Sequence, residues 1–330
     1  MEDTTQKKMR YLSLFSGIGG FELGIQQAYE NLRPLQQSIS KRTKDMYDTS
    51  DKLQQWECVG YSEIDKYAIQ IYEKHFNHKN YGDITKINAE ELPDFDLLVG
   101  GFPCQSFSIA GKRKGFDDTR GTLFFDIARI LRAKQPKLFL LENVKGLLSH
   151  DNGKTFSTII STLTELGYDL QWQVLNSKNH GVPQNRERIF IIGHLRGTRR
   201  PKVFPIRESN EKNLEQLNNG ESQGYRVYGI DGIAPTQASQ AGGVGAKTGL
   251  IAHTVRNGGR ASGIDKKQNW DTYNFNGIIR RLTPTECERL QGFPDGWTDV
   301  VSDTQRYKCL GNAVTVNVIR DIIIKLFNHP

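Results

Sequence analysis

YLSLFSGIGG, residues 11–20, contains the strongest indication of fold in this chain of 330 residues. Its first half is a short apolar run with the length of a buried strand. The glycines that follow allow a sharp turn into a candidate helix at 20–32, and they let the backbone approach a ligand closely. A strand that passes through such a turn into a helix is typical of the first unit of a doubly wound α/β domain.

Further apolar runs repeat this unit as far as residue 195. The predicted strands are CVGYSE (58–63), FDLLVGG (95–101), KLFLLEN (137–143), WQVLN (172–176) and RIFIIGHL (188–195), of which the last two could form a hairpin. The further helices that we predict are 65–76, 122–134, 153–166 and 314–327. This alternation predicts an α/β fold with a doubly wound, mostly parallel sheet, onto which the last helix packs back.

Two segments interrupt the alternation. Residues 33–55 are polar and charged, and we expect them to form a surface insertion after the first helix. Residues 196–285 hold 13 of the 32 glycines and no long amphipathic helix, which predicts a smaller, irregular, β-rich domain. The expected division is a larger domain of 8–195 plus 305–330, a smaller domain of 196–285, and a hinge at 286–304.

Charge and cysteine content narrow the class of protein. The net charge is +7, and 196–285 carries 14 Lys and Arg against 7 Asp and Glu, while the rest of the chain carries 30 of each sign. Such a segment either binds nucleic acid or is merely solvated. No run approaches the ~20 apolar residues of a membrane helix, and MEDTTQKKMR, residues 1–10, lacks the apolar region of a secretory signal. Four cysteines without CxxC spacing predict neither a disulfide framework nor a zinc site, and they fit a reducing cytoplasm.

Acidic residues follow two of the strand candidates. Glu63 ends the strand at 58–63, where a carboxylate can accept hydrogen bonds from both hydroxyls of a ribose. Asp83, in YGDIT, ends a further candidate strand and could bind an adenine amino group. Either acid alone is more often a solvated loop residue. Together with the glycine turn at 15–20 they favour an adenosyl cofactor over a dinucleotide.

A possible nucleophile follows the strand at 95–101. In GGFPCQSFS (100–108), Pro103 fixes its own φ and keeps Phe102 extended, which presents Cys104 at the carboxyl edge of the sheet. Glu142 ends the strand at 137–143, and PQNRERIF (183–190) places Arg186 and Arg188 on one face if the segment is extended. Each has a simpler interpretation in isolation: a buried thiol, a helix-capping carboxylate, a pair of solvated arginines.

Taken together, these residues resemble the family of cytosine-5 DNA methyltransferases, and above all its compact bacterial restriction-modification members. The stretches that carry the resemblance occur in the family's order: FSGIGG (15–20), GGFPCQSFS (100–108), ENV (142–144), QNRER (184–188), RRLTPTECERLQGFPDGW (280–297) and GNAVTVNV (311–318). They span the chain apart from the termini, 33–55 and the variable segment between 188 and 280.

The resemblance implies a covalent mechanism. Carbon 5 of cytosine is a poor nucleophile, and attack by the Cys104 thiolate on carbon 6 activates it. Glu142 is then expected to bind the N3 edge and the exocyclic amine, and Arg188, supported by Arg186, the O2 edge. A base then removes the carbon 5 proton. The sequence does not identify that base, which could be water.

The resemblance also implies that the cofactor is S-adenosyl-L-methionine. Phe15 is expected to lie against the adenine ring and Asn312 near the methionine carboxylate. Ala313 follows Asn312 where relatives often have Ser, so any contact there would use the backbone. The cofactor-binding residues predicted in this way are Phe15, Gly17, Gly19, Glu63, Ile64, Asp83, Ile84, Pro103, Leu123 and Asn312.

For the DNA side, the resemblance implies a target cytosine flipped out of the duplex. Lys112 and Arg113, in the loop at 108–121, are expected to contact phosphates, and 196–285 is expected to be the target-recognition domain. Within that domain SQGYRVYG (222–229) predicts that Gln223 fills the vacated base position and that Arg226 contacts a guanine. Thr236 is expected to touch the backbone.

These features predict a cytoplasmic, monomeric enzyme that methylates cytosine in duplex DNA and protects host DNA in a restriction-modification system. It would share that system with a cognate restriction endonuclease without forming a stable complex. Two alternatives stay open: a tRNA cytosine-5 methyltransferase, and a non-catalytic DNA-binding regulator with the same fold. The basic segment at 196–285 favours DNA over tRNA, and the intact set of Cys104, Glu142 and Arg188 favours an enzyme.

Overall fold

A computed structural model describes most of the chain. The described residues are 8–42, 56–103, 123–199, 201–206 and 282–327, together with the strand residues 227–228, 234–235, 250–254, 273–274 and 277–280. Among them, the larger sheet has six strands: β1 (Met9–Leu14), β2 (Trp56–Ser62), β3 (Leu97–Gly101), β4 (Leu138–Val144), β5 (Tyr168–Asn176) and β7 (Glu187–Leu195). A two-stranded pair contains β6 (Gln184–Asn185).

The order of the six strands is β2-β1-β3-β4-β7-β5. β1, β2, β3 and β4 are parallel, and β7 is antiparallel to both of its neighbours. The predicted doubly wound, mostly parallel sheet is therefore confirmed. The last two predicted strands are indeed antiparallel neighbours, although 177–186 separates them and includes β6.

Helices cover both faces of this sheet. They are α1 (Gly20–Arg42), α2 (Lys66–His75), α3 (Leu123–Lys134), α4 (Lys154–Glu165), α5 (Pro284–Leu290), α6 (Asp303–Asn312) and α7 (Val316–Phe327). On one face Leu98 and Leu141 pack in a cluster with residues of α3 and α4, and on the other Leu97 and Leu140 pack with α1 and α7. Neighbouring residues of one strand thus lie in opposite clusters, as the two-residue period of a strand requires. The predicted return of the last helix onto the larger domain is confirmed by α7.

Two local predictions are wrong. α1 does not end near residue 32 but continues to Arg42, so the first ten residues of the expected insertion 33–55 extend the helix. Six of these ten residues are Leu, Gln, Lys or Arg, which have high helix propensity. Asp83 does not end a strand: Asn80 forms one isolated bridge with Tyr61, and Asp83 caps a short 3-10 helix, Ile84–Lys86. An aspartate followed by a free backbone N–H two residues later favours such a cap.

The region between 206 and 282 contains short strands. They are β8 (Val227–Tyr228), β9 (Ala234–Pro235), β10 (Leu250–Thr254), β11 (Tyr273–Asn274) and β12 (Gly277–Arg280). Four of them form a sheet in the order β11-β12-β10-β8, and β9 pairs with β6. Short strands agree with the prediction for 196–285, whereas the domain boundaries and the hinge at 286–304 stay predictions. Within the described ranges, no helix has the length and apolar character needed to cross a membrane.

Candidate active site

The glycine turn after β1 meets the end of β2 through a single carboxylate. Oε2 of Glu63 accepts a hydrogen bond from the Gly17 backbone N–H at 2.9 Å, and Oε1 accepts from the N–H groups of Ile64 and Asp65 at 2.8 Å each. Phe15, Gly17 and Gly19 all have positive φ, 53°, 55° and 87°. The turn is therefore tightly coiled, and the direction of the Glu63 carboxylate is fixed by backbone donors on both sides.

The space above this turn suits an apolar, flat group. Among the residues that the structure describes, no atom lies within 4 Å of a Cβ placed on Gly17, although the turn around it is well packed. Ile64 is 72% exposed, which is unusual for a large aliphatic side chain, and Phe15 packs against the edge of the core. An open cradle beside an oriented carboxylate and an exposed aliphatic residue fits the base and ribose of an adenosyl group.

Asp83 is held close to the Glu63 segment by Asn80, which the sequence analysis did not identify. Oδ1 of Asn80 accepts hydrogen bonds from the backbone N–H groups of Glu63 (3.4 Å) and Gly82 (2.8 Å). Hydrogen bonds from the hydroxyl and the backbone N–H of Thr85 lower the pKa of Asp83, so its carboxylate is an acceptor. The only signal for Asn80 in the sequence is its place in the turn NYGD, which many asparagines share.

The remaining predicted cofactor residues differ in exposure. Asn312 is the last residue of α6 and is exposed, as is Pro103 just after β3. Leu123 opens α3 and is half-buried. Ile84 is buried in the core, so its side chain supports the site from below. A salt bridge of 2.7 Å between Lys308 and Asp65 joins α6 to the segment that carries Glu63.

The carboxyl ends of β3 and β4 place Glu142 beside the path of the chain toward Pro103. Glu142 is paired with Gly101 in the sheet register, and a Cβ on Gly101 would lie 3.1 Å from Oε2 of Glu142. The next residue, Asn143, donates from its side chain to the Phe102 carbonyl oxygen at 2.9 Å. A glycine at 101 thus leaves the carboxylate room, and Asn143 fixes the segment that leads to Pro103.

Glu142 and Arg188 form an ion pair in a mostly buried setting. Nε of Arg188 lies 3.1 Å from Oε1 of Glu142, and the two side chains are 17% and 12% exposed. Burial raises the pKa of Glu142, while the charges of Arg188 and Arg186 oppose the rise. The pair therefore presents a cation beside a carboxyl group that holds its proton more tightly than an exposed glutamate does, at one edge of the sheet.

Arg186 contacts a different part of the site. It lies between β6 and β7, its side chain is buried, and it donates to the carbonyl oxygens of Gly311 at 3.1 Å and Ala313 at 2.9 Å. Burial and the charge of Arg188 lower the pKa of Arg186 to about 9. The two carbonyls flank Asn312, so Arg186 fixes the end of α6 while Arg188 faces Glu142.

Similarity to known proteins identifies the family of the chain. The family model of C-5 cytosine-specific DNA methylases matches residues 9–328. The chain belongs to this family. The Type II methyltransferase M.HhaI of Haemophilus parahaemolyticus is 35% identical over 98% of this chain and 95% of its own length. M.HpaII of Haemophilus parainfluenzae is 38% identical over 96% of this chain and 88% of its own length. M.NgoBI of Neisseria gonorrhoeae is 40% identical over 93% of this chain and 90% of its own length.

Solved structures support the fold of this methylase. The methyltransferase EhMeth of Entamoeba histolytica superposes with a TM-score of 0.65, covering 98% of this chain and 99% of its own, at 20% identity. As a DNA cytosine-5 methylase the chain is an enzyme that needs a methyl donor and acts on DNA. Several predicted site residues of the methylase lie outside the described residues: Cys104, Lys112, Arg113, Gln223, Arg226 and Thr236.

Proposed function

We propose that this methylase transfers a methyl group from S-adenosyl-L-methionine to carbon 5 of a cytosine flipped out of a specific duplex DNA sequence. The observation that carries the proposal is the Glu142–Arg188 pair at the carboxyl edge of the sheet, beside the segment that leads to Cys104. A cytosine in a duplex exposes neither carbon 5 nor carbon 6 to side chains in such a site, so the base must leave the stack.

The chemistry begins at Cys104. Its thiolate bonds to carbon 6 of the ring, which places the electron pair of the carbon 5–carbon 6 bond at carbon 5 for the new methyl bond. A base then takes the proton from carbon 5, and the electrons of that bond re-form the double bond as the sulfur leaves carbon 6. The cysteine is thereby regenerated, and the ring regains its aromaticity.

Glu142 and Arg188 stabilise the charge that the attack creates on the ring. Because burial raises the pKa of Glu142, its carboxyl group can hold a proton and donate it to N3 while its other oxygen accepts from the exocyclic amine. Arg188 donates to O2 and balances the carboxylate when the proton has moved. This arrangement in a mostly buried site strengthens both interactions relative to water.

The glycine turn and Glu63 hold the donor in this proposal. S-adenosyl-L-methionine supplies, when bound, a methyl group on a positively charged sulfur. Phe15, Gly17 and Ile64 would hold the adenosyl base, because the described residues leave open space over Gly17. Three of the roughly four lone-pair positions of the Glu63 carboxylate already accept backbone N–H groups. The remaining lone pair, on Oε2, would accept one ribose hydroxyl, and Asn312 would hold the methionine end.

The biological setting follows from the relatives. M.HhaI, M.HpaII and M.NgoBI are named Type II methyltransferases, and we infer the same role in restriction-modification, with a cognate restriction endonuclease that forms no stable complex with this chain. Lys112 and Arg113 contact phosphates of the duplex, Thr236 contacts the backbone, Gln223 fills the vacated position, and Arg226 reads a guanine. The enzyme works as a monomer in the bacterial cytoplasm, where its DNA lies.

A covalent trap tests the nucleophile. In duplex DNA with 5-fluorocytosine at the target, methyl transfer proceeds but fluorine cannot leave as a cation, so the enzyme stays bound to the methylated base. We expect a donor-dependent complex that survives denaturing electrophoresis, with the adduct on Cys104. Cys104→Ser should form none, because a hydroxyl is far less ionised than a thiol near neutral pH.

Matched controls are present in the chain. Burial raises the pKa of Cys58 and of Cys309 to about 12, so neither is a thiolate near neutral pH, and Cys58→Ser and Cys309→Ser should trap like the wild type. An adduct on either residue, or full methylation by Cys104→Ala, would overturn the mechanism. If tritiated methyl groups were transferred to tRNA and not to duplex DNA, the proposal that duplex DNA is the substrate would be wrong.

A further inference from the structure

Trp297 contacts the glycine turn from the far end of the chain. The residue is buried, and its indole N–H donates to the carbonyl oxygen of Ile18 at 2.9 Å. Ile18 lies between Gly17 and Gly19, so the bond holds the middle of the turn. A buried carbonyl without a donor is costly, and this bond is what satisfies the Ile18 oxygen from outside the turn.

The backbone on both sides of Trp297 is fixed by one buried carboxylate. Glu288, in α5, has no exposed surface, and it accepts from the Gly296 N–H with Oε2 and from the Thr298 N–H with Oε1, each at 2.8 Å. Arg306 of α6 donates to Oε1 at 3.1 Å and neutralises the charge. The position of the indole is therefore set by α5 and α6, and not by the turn that it contacts.

Two aromatic rings at the carboxyl end of α2 also support Trp297 and the glycine turn. The His75 ring stacks on Trp297 with centroids 3.5 Å apart and planes 8° from parallel, and its Nε2 bonds to the Trp297 carbonyl at 2.7 Å. The Phe76 ring lies edge-on to Trp297, and a side chain at Gly19 would overlap that ring. The turn thus rests on an aromatic layer of Trp297, His75 and Phe76.

We propose that Trp297 is a positioning residue for the methyl donor: through the Ile18 carbonyl it holds the glycine turn in the conformation that binds the adenosyl group. The inference rests on the proposed use of S-adenosyl-L-methionine at this turn. Residues with positive φ on either side of Ile18 give the turn other accessible conformations. Loss of the indole bond therefore lowers the fraction of enzyme that is ready to bind the donor, without changing the groups that touch the cytosine.

Trp297→Phe is the decisive variant, because it keeps an aromatic ring against His75 and removes the N–H. We expect the Kd and the KM for S-adenosyl-L-methionine to rise about tenfold, while kcat at saturating donor and the KM for DNA stay within twofold. Trp172→Phe is the matched control, since Trp172 is 46% exposed on β5 and remote in sequence from the turn. It should bind the donor like the wild type.

Fluorescence gives a second readout that does not depend on how well Trp297→Phe folds. The chain has four tryptophans, and the triple variant Trp56→Phe, Trp172→Phe, Trp270→Phe leaves Trp297 as the sole tryptophan, whose emission can be excited selectively over that of tyrosine. Its emission should change as the donor saturates the protein. A wild-type Kd for Trp297→Phe, a fall in kcat alone, or a sole-tryptophan emission that ignores bound donor would overturn the role of Trp297. Failure of the wild type to bind the donor would overturn the proposed cofactor as well.

Discussion

Glu22 is a carboxyl group buried next to the glycine turn, and replacing it should change how stability depends on pH. It lies in the first turn of α1 with 2% of its surface exposed. Its Oε1 accepts from the Tyr72 hydroxyl at 3.0 Å, and the same hydroxyl lies 2.9 Å from Nδ1 of His78. No salt bridge involves Glu22 within the described part of the chain, and burial raises its pKa to about 7.

The magnitude follows from the difference between this value and the ordinary 4.5 of an exposed glutamate. The folded chain holds the proton more tightly than the unfolded chain, so the free energy of unfolding falls as the pH rises from about 4.5 to about 7. At ~1.4 kcal/mol per pH unit, the free energy of unfolding is lower by ~3 kcal/mol above pH 7 than at low pH. Below the pKa of Glu22 in the unfolded chain, this loss of stability does not occur. Glu22→Gln keeps the shape and an acceptor for Tyr72 but cannot ionise.

Urea unfolding of wild type and Glu22→Gln from pH 5 to pH 8 measures this loss. The stability of the variant minus that of the wild type should rise by ~2 kcal/mol across the range, because the other titrations cancel in the difference. Glu30→Gln, which changes an exposed carboxylate on the same helix, is the matched control. A difference for Glu22→Gln that stays level with pH would refute the buried, protonated carboxyl group.

Three further predictions concern the site. Glu63→Ala should weaken binding of S-adenosyl-L-methionine by ~1–3 kcal/mol, and calorimetry on the folded variant showing unchanged affinity would remove Glu63 from the pocket. Arg226→Ala should reduce the discrimination at one base pair of the DNA site by ~1–3 kcal/mol. Lys112→Ala should instead weaken the binding of all DNA sequences alike. If Arg226→Ala lost equal affinity for cognate and scrambled DNA, Arg226 would be excluded as a base reader. Glu142→Gln, which cannot pass a proton to N3, should lower the single-turnover rate ~100-fold, and a wild-type rate would contradict its role.

The sequence predicts the position of a candidate site residue well where that residue ends a strand. Glu63 follows β2 and Glu142 lies near the end of β4, and both positions could be read from short apolar runs followed by a charged residue. Parallel strands bring their carboxyl ends to one edge, so the topology itself assembles these residues. The ion pair between Glu142 and Arg188 follows once β7 is known to be the neighbour of β4.

The sequence is a poor guide where a role depends on long-range packing or on the choice between local structures. YGDIT (81–85) has the composition of a strand end, yet the competing cap of Asp83 on the next turn prevails. The polar sequence at the start of 33–55 does not distinguish a loop from a continuation of the helix. The bond from Trp297 to Ile18 joins residues 279 apart, and no local pattern in either segment predicts it.

The proposed cofactor half and the proposed cytosine half of the site share one structural support, the carboxyl end of α6. Arg186 fixes this end through the carbonyls of Gly311 and Ala313, and Arg188, two residues later, faces Glu142. Earlier in the same helix, Lys308 forms a salt bridge with Asp65, which is two residues after Glu63. Because methyl transfer requires donor and base at a fixed separation, a shift of one half relative to the other would cost rate even with every contact intact. The support that the buried Arg186 gives to α6 would explain the second arginine of QNRER, because the proposed chemistry on the ring uses only Arg188.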